Sequence, residues 1–204
     1  MLISEQYAKL TSKKNVYNIM PLENIPSVLQ HGIVCYDQMQ QITHSSIAMN
    51  EVQERRSRVT VPNGASLHQY ANLYFTYHNP MLYARQNIAD ELCVLAVSAK
   101  VMDIEGCILT DRNAAAGLVR FYIPSEGLER LDFNKIYAQY WTDEDPFIHR
   151  EKKSIKCAEI LIPNNVPPKY IVGAYVVSKK AEETLRDHGF TKQIIINPSV
   201  FYRR

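Results

Sequence analysis

Apolar and polar residues alternate with period two in several short stretches of this chain, and follow helical spacing in only a few. "NVYNI" at 15–19 reads as a strand feeding a short helix in "PLENIPSVLQHGI". There Ile25, Val28 and Leu29 recur at helical spacing, Asn24 stands where an N-cap belongs, Pro26 falls in the tolerant first turn and Gly32 ends the run. Residues 36–70 are polar with little periodicity, and a long segment of that kind inside a compact domain is more often functional than idle. "NLYFTYHNPMLYA" begins as a strand and breaks at Asn79 and Pro80; "ELCVLAVSA" and "CILTD" read as strands. Helical signal is modest from 114 to 154. "AEILIP", "IVGAYVVS" and "QIIINP" close the chain as strands, with the helix "KKAEETLRDHG", capped by Gly189, between the last two. Few crossover helices separate the strands, so the pattern predicts an α+β class with a twisted, split and mostly antiparallel sheet.

One letter resists this pattern. In "HREKKSIKCAEILI" (149–162) alternation sets Cys157, Glu159 and Leu161 on one face and Ala158, Ile160 and Ile162 on the other, so a strand with two apolar faces carries a carboxylate. Glu159 is either a strand-end charge reaching solvent or a catalytic group, and this stretch alone does not choose between them.

At 204 residues, with 46% hydrophobic and 22% charged residues, the chain reads as one ordinary globular domain spanning 1–204. Cys35, Cys93, Cys107 and Cys157 are scattered without a CxxC pair, which predicts reduced thiols rather than a disulfide framework or a metal site. Neither a signal peptide nor an apolar run of roughly 20 residues is visible, so a cytoplasmic protein without a membrane partner is expected. Net charge is only +2, but "ERRSR" at 54–58, "HREKK" at 149–153 and the terminal "YRR" concentrate positive charge. These clusters are either solvated faces or, if they converge, a track for phosphates. Tyr74, Phe75 and Tyr83 are core aromatics or stacking surfaces for a planar ring.

GxGxxG, P-loop, GxSxG and HExxH motifs are all absent, and the six histidines are dispersed. What remains is an ordered set: "VYNIMPLENIPSVLQHGI", "IAMNEVQERRSRVTVP", "LYFTYHNPMLYA", "ILTDRNAAAGLVRFY", and "YW" followed by "HREKKSIKCAEILIP". Together, from about residue 15 to 196, these pieces resemble the DarT family of DNA ADP-ribosyltransferases.

The resemblance implies an ADP-ribosyltransferase-like split sheet with short flanking helices, and NAD+ as co-substrate without a metal. It makes Glu159 and Arg56 the catalytic pair, with an NAD-binding element over about 41–61 and a substrate-recognition loop over about 114–158. Asn18, Ile19, Met20, Ser27, Cys35 and Arg56 match its cofactor contacts. The chemistry fits the residue types: a guanidinium suits a pyrophosphate or developing charge, and a carboxylate suits an oxocarbenium-like ribose or an acceptor proton. The implied acceptor is a base in single-stranded DNA, because a duplex hides its base edges. Arg55, Arg58, Arg150, Lys152 and Lys153 are candidates to hold its phosphates, and Tyr140 and Trp141 to stack a base. Thymine-modifying members carry histidine and threonine where this chain has Asn18 and Met20, so the expected base is guanine, with thymine next. The family association further implies a toxin paired with an antitoxin that removes ADP-ribose, of the DarG macrodomain or NADAR hydrolase kind. RNA or protein as acceptor, and a non-catalytic nucleic-acid-binding module, are the competing readings.

Overall fold

The computed structural model describes residues 1–42, 44–46, 50–62 and 64–203. Ile47–Met49 of the "IAMNEVQERRSRVTVP" piece, Thr43 of the expected NAD-binding element and Arg204 of the terminal basic cluster lie outside the described residues.

Helix α1 (Ile3–Thr11) is followed by β1 (Asn15–Pro21), α2 (Ile25–His31) and β2 (Ile33–Val34). Next come α3 (Tyr36–Met39), α4 (Asn50–Ser57), β3 (Tyr70–Tyr74), α5 (Pro80–Tyr83), β4 (Leu92–Ser98), β5 (Ile108–Thr110) and β6 (Phe121–Tyr122). Helices α6 (Pro124–Arg130), α7 (Phe133–Ile136) and α8 (Pro146–Ile155) precede β7 (Glu159–Pro163), β8 (Asn165–Val166), β9 (Ile171–Val176), α9 (Lys179–Asp187) and β10 (Gln193–Ile196). The main sheet has the order β10-β9-β4-β1-β3-β7-β5-β6, and β2 pairs with β8 beside it. Its pairs are antiparallel except β9–β10, where α9 supplies the crossover that a parallel pair requires. The α+β class and the mostly antiparallel sheet with flanking helices agree with the expectation.

The split lies between β1 and β3. β1 pairs with β4 along its whole length, from Asn15↔Ser98 to Pro21↔Leu92, but meets β3 only at Tyr17↔Tyr74. Beyond that point the two strands part, and the Asn18 side chain bridges the gap by donating Nδ2–H to the Asn72 carbonyl at 3.0 Å.

β4 shows why its sequence is a continuous apolar run. Cys93, Leu95 and Val97 enter the main core with Val16, Leu73 and Ile160, while Leu92 and Val94 enter a second core on the opposite face with Ile19, Tyr74 and Cys157. With both faces buried, no position is left for a polar residue. β7 follows the alternation read from sequence: Ala158, Ile160 and Ile162 fill the main core, and Leu161 packs on the other side with Leu67 and Tyr70.

Two local expectations are corrected. Residues 36–70 hold α3 and α4, which sequence pattern missed because Arg56 is the one buried residue of α4 and no apolar stripe marks the helix. Asn24 occupies the N-cap position of α2 without capping it. Its side chain instead accepts from Ser45 N–H at 2.9 Å and donates to the Ser45 carbonyl at 2.7 Å, fastening the 44–46 segment to the start of the helix.

Candidate active site

Glu159 opens β7 directly opposite Tyr74 of β3, at the strand pair that flanks the split. Its backbone N–H has no ladder partner there and donates to Thr110 Oγ1 at 2.9 Å; that hydroxyl donates onward to the Arg112 carbonyl at 2.7 Å. Thr110 is itself fully buried, so the position of the strand's first residue is set by a side chain of β5. The Glu159 residue is 0% exposed, which excludes the solvent-reaching strand end.

A carboxylate buried this deeply needs partners. Arg56 Nη1 donates to Oε1 at 3.1 Å and to Oε2 at 3.0 Å, and the Ala114 backbone N–H donates to Oε1 at 2.9 Å. Arg56 lies in the last turn of α4, where the helix dipole favours a cation, and is 7% exposed. The pair therefore joins residues 103 positions apart and buries both charges.

Above the pair lies a cavity of about 440 Å³, within the range of nucleotide-sized ligand sites. Asn18, Ile19 and Met20 of β1 form one wall and Tyr70, Asn72 and Tyr74 of β3 another, so the cavity occupies the split itself. Ser27 of α2, the Asn24-fastened His44, Ser45 and Ser46, and Gln53, Arg55 and Arg56 of α4 close further sides. Arg56 stands in this wall and Glu159 beneath it.

Of the residues expected to contact a cofactor, Asn18, Ile19, Met20, Ser27 and Arg56 all line the cavity. Cys35 does not. It is 2% exposed, its N–H donates to the Asn164 carbonyl at 2.6 Å, and its carbonyl accepts from Met39 N–H at 2.9 Å. Its neighbours Val34 and Tyr36 face the cavity, and extended backbone at Cys35 points the thiol the other way.

The basic clusters converge in part. Arg55 from "ERRSR" and Lys153 from "HREKK" both reach the cavity. Arg58 points to solvent in an ion pair with Glu54, Lys152 pairs with Asp143 at 2.6 Å, and the exposed Arg150 lies 5.8 Å from the Phe147 ring. Arg203 pairs with Asp90 at 2.9 Å. Tyr140 is 70% exposed, whereas Trp141 packs against other aromatics. Of the three candidate stacking aromatics, Tyr74 lines the cavity, Phe75 is in the core against Tyr7 and Phe133, and Tyr83 is exposed.

Sequence reasoning missed several groups at the cavity. His68 stacks on Tyr36 at 4.1 Å, and burial followed by the Arg56 charge lowers its pKa, which favours the neutral ring. Burial and then the neighbouring Glu159 push the Tyr74 phenol far up, so it remains a hydroxyl. Asn18 Oδ1, Gln53 Oε1 and His68 Nε2 are buried polar atoms without a partner among the described residues, and all three residues line the cavity. Buried polar atoms are rarely left unpaired, so this arrangement fits a ligand rich in hydroxyl or amide groups. No group of three His, Cys, Asp or Glu side chains that could hold a metal ion occurs among the described residues.

A buried guanidinium–carboxylate pair thus lies under a cavity set in the split of an antiparallel sheet, with three unpaired buried polar atoms among the residues of an otherwise largely apolar lining. The chain belongs to the DarT family: residues 17–202 match the family model described as "ssDNA thymidine ADP-ribosyltransferase, DarT". It is 33% identical over 183 residues to a DNA ADP-ribosyl transferase from Thermus sp. strain 2.9, covering 84% of this chain and 85% of that protein. It is 29% identical over 197 residues to a DNA ADP-ribosyl transferase–DNA ADP-ribosyl glycohydrolase fusion protein from Thermosipho africanus; the match covers 93% of this chain but spans only 50% of the fusion. Among solved structures, Thermus sp. 2.9 DarT in complex with ADP-ribosylated single-stranded DNA superimposes with a TM-score of 0.80 at 28% identity, over 94% of this chain and 97% of that one.

Proposed function

We propose that this chain is an NAD+-dependent mono-ADP-ribosyltransferase that modifies a base in single-stranded DNA, with Arg56 and Glu159 as its catalytic pair. The observation that carries the reading is the buried Arg56–Glu159 pair at the floor of the cavity in the split. Asn18, Ile19, Met20 and Ser27 then hold the NAD+ end of the site, and the unpaired Asn18 Oδ1 accepts from a ribose hydroxyl or the nicotinamide amide.

In the reaction the C1′–N bond to nicotinamide breaks, the electron pair leaves with neutral nicotinamide, and a base nitrogen forms the new bond to C1′. The proton lost by that nitrogen passes to a carboxylate, the role assigned to Glu159. Arg56 stands between Glu159 and the cavity, so engagement of its guanidinium by the pyrophosphate is what would bring the carboxylate into contact with the acceptor. Lys153 and Arg55, at the cavity, are the cations best placed for DNA phosphates; Arg58, Arg150 and Lys152 lie farther out.

For the acceptor we favour guanine, on the replacement of the thymine branch's histidine and threonine by Asn18 and Met20. Thymine is the second reading, favoured by the family's own description. The fusion of transferase and glycohydrolase in the Thermosipho africanus relative supports a toxin whose mark a partner hydrolase of the DarG or NADAR kind removes. Four oligonucleotides, each lacking one base type, incubated with NAD+ and read by intact mass, test the assignment. The guanine-free one should alone stay unmodified. If the thymine-free one alone escapes, the second reading replaces the first, and if an RNA rather than any DNA gains mass, the acceptor class is wrong.

A further inference from the structure

We propose that Tyr83, Trp141 and Tyr202 form a stacking site for a base that flanks the modified nucleotide, an inference resting on the single-stranded DNA reading above. The three rings come from the end of α5, from the stretch between α7 and α8, and from the last described residues of the chain. They converge at centroid distances of 5.8 Å for Tyr83–Trp141, 5.2 Å for Tyr83–Tyr202 and 6.1 Å for Trp141–Tyr202, each pair edge-to-face. His78 supports the group from 4.7 Å behind Tyr202 and 5.9 Å from Trp141.

Packing alone does not account for this group. Tyr202 packs against the second core, but Tyr83 is 48% exposed beside Leu82 at 1%, and neither Tyr83 nor Trp141 belongs to a core cluster. Each edge-to-face contact takes the edge of one ring and a face of its partner, and Tyr83, nearly half exposed, is the ring that keeps surface open to a ligand. The location is specific too. Pro80 and Met81 of α5 and Ala84 just after it line the cavity, and the Tyr202 hydroxyl donates to the Asn79 carbonyl at 3.1 Å at the start of that helix. One short helix thus presents one side to the catalytic cavity and the other to the rings.

Positive charge at the adjoining cavity fits a nucleic-acid strand. Lys153 stands at the cavity, and the exposed Arg150 lies one turn earlier on the same face of α8. A π-face beside cations binds any base without reading its edge, so the site would hold a neighbouring nucleotide in place while leaving base choice to the cavity.

Trp141 is the chain's single tryptophan, which gives a direct test. A short single-stranded oligonucleotide carrying a fluorophore is titrated with the full chain, and its anisotropy is followed together with tryptophan emission. The expected result is a saturable change in emission with the same midpoint as the anisotropy. Tyr83→Ala should weaken binding by about 5- to 150-fold while leaving thermal stabilisation by NAD+ at the wild-type size, and Tyr83→Phe should restore binding. Saturating anisotropy with unchanged emission, or Tyr83→Ala binding as tightly as wild type, would overturn the stacking site and leave the single-stranded DNA reading standing. No rise in anisotropy for the wild type would remove both.

Discussion

Replacing Arg56 with methionine strands Glu159 at 0% exposure with Ala114 N–H as its remaining partner among the bonds described. Removing one member of a buried ion pair costs about 3–5 kcal/mol, because the other charge stays buried without its counter-ion. Glu159→Leu leaves Arg56 in the same position and should cost a similar amount. The double variant Arg56→Met/Glu159→Leu removes both charges and leaves mainly the Ala114 N–H unsatisfied, a loss of about 1–3 kcal/mol. The two single losses should therefore exceed the double loss by at least about 3 kcal/mol, the signature of a directly coupled pair. Urea unfolding of the four proteins at 25 °C, with equal slopes checked first, measures each value. Melting temperature offers a coarser check, with a drop of roughly 6–20 °C for either single variant in a chain of this length. Glu159→Gln, which keeps an oxygen for the Ala114 amide, should fall between wild type and Glu159→Leu. Additivity of the two single losses within about 0.5 kcal/mol would show that the charges are not coupled in the folded protein, and the account of the site would fail.

Asn24→Ala should release the 44–46 segment that forms part of the cavity wall; steady-state kinetics should show the KM for NAD+ rising by about 5- to 10-fold with the KM for DNA unchanged. Lys156, buried at 2% exposure and donating to the Ile136 and Ala138 carbonyls, has its pKa pushed down by burial to about 8. The unfolded chain therefore binds more protons than the folded one between pH 8 and roughly 10.4, and this residue makes stability rise with pH in that window by up to about 1.4 kcal/mol per unit. Urea midpoints at pH 7.5 and 9.5 should show that rise in wild type and lack it in Lys156→Met.

The parts of the fold legible in sequence are those where burial leaves a simple mark. The β4 run is apolar because both of its faces meet a core, and the alternation around Glu159 correctly separates the main-core residues Ala158, Ile160 and Ile162 from Leu161. The split was expected, but which strands part depends on long-range register and could not be read from local pattern. Helix α4 was invisible because its anchor to the protein is an arginine, and a burial signal based on apolar residues ignores a charge that is buried only because a carboxylate 103 positions away neutralises it. No spacing in the sequence marks the Arg56–Glu159 juxtaposition; only the family resemblance pairs the two residues. His68, Gln53 and Thr110 carry no local signature, since each matters for what the fold brings beside it. Cys35 illustrates the converse: a position next to cavity residues faces away, because consecutive residues in extended backbone point to opposite sides.

Glu159, buried against Arg56, is the group proposed to serve transfer of ADP-ribose to single-stranded DNA. The most direct measurement incubates wild type and Glu159→Gln, both checked for folding, with NAD+ and a single-stranded oligonucleotide containing all four bases, and follows intact mass over time. Wild type should add one ADP-ribose, and Glu159→Gln should do so at least about 100-fold more slowly. Equal rates for the two proteins, or an oligonucleotide that never gains mass with wild type, would contradict the claim.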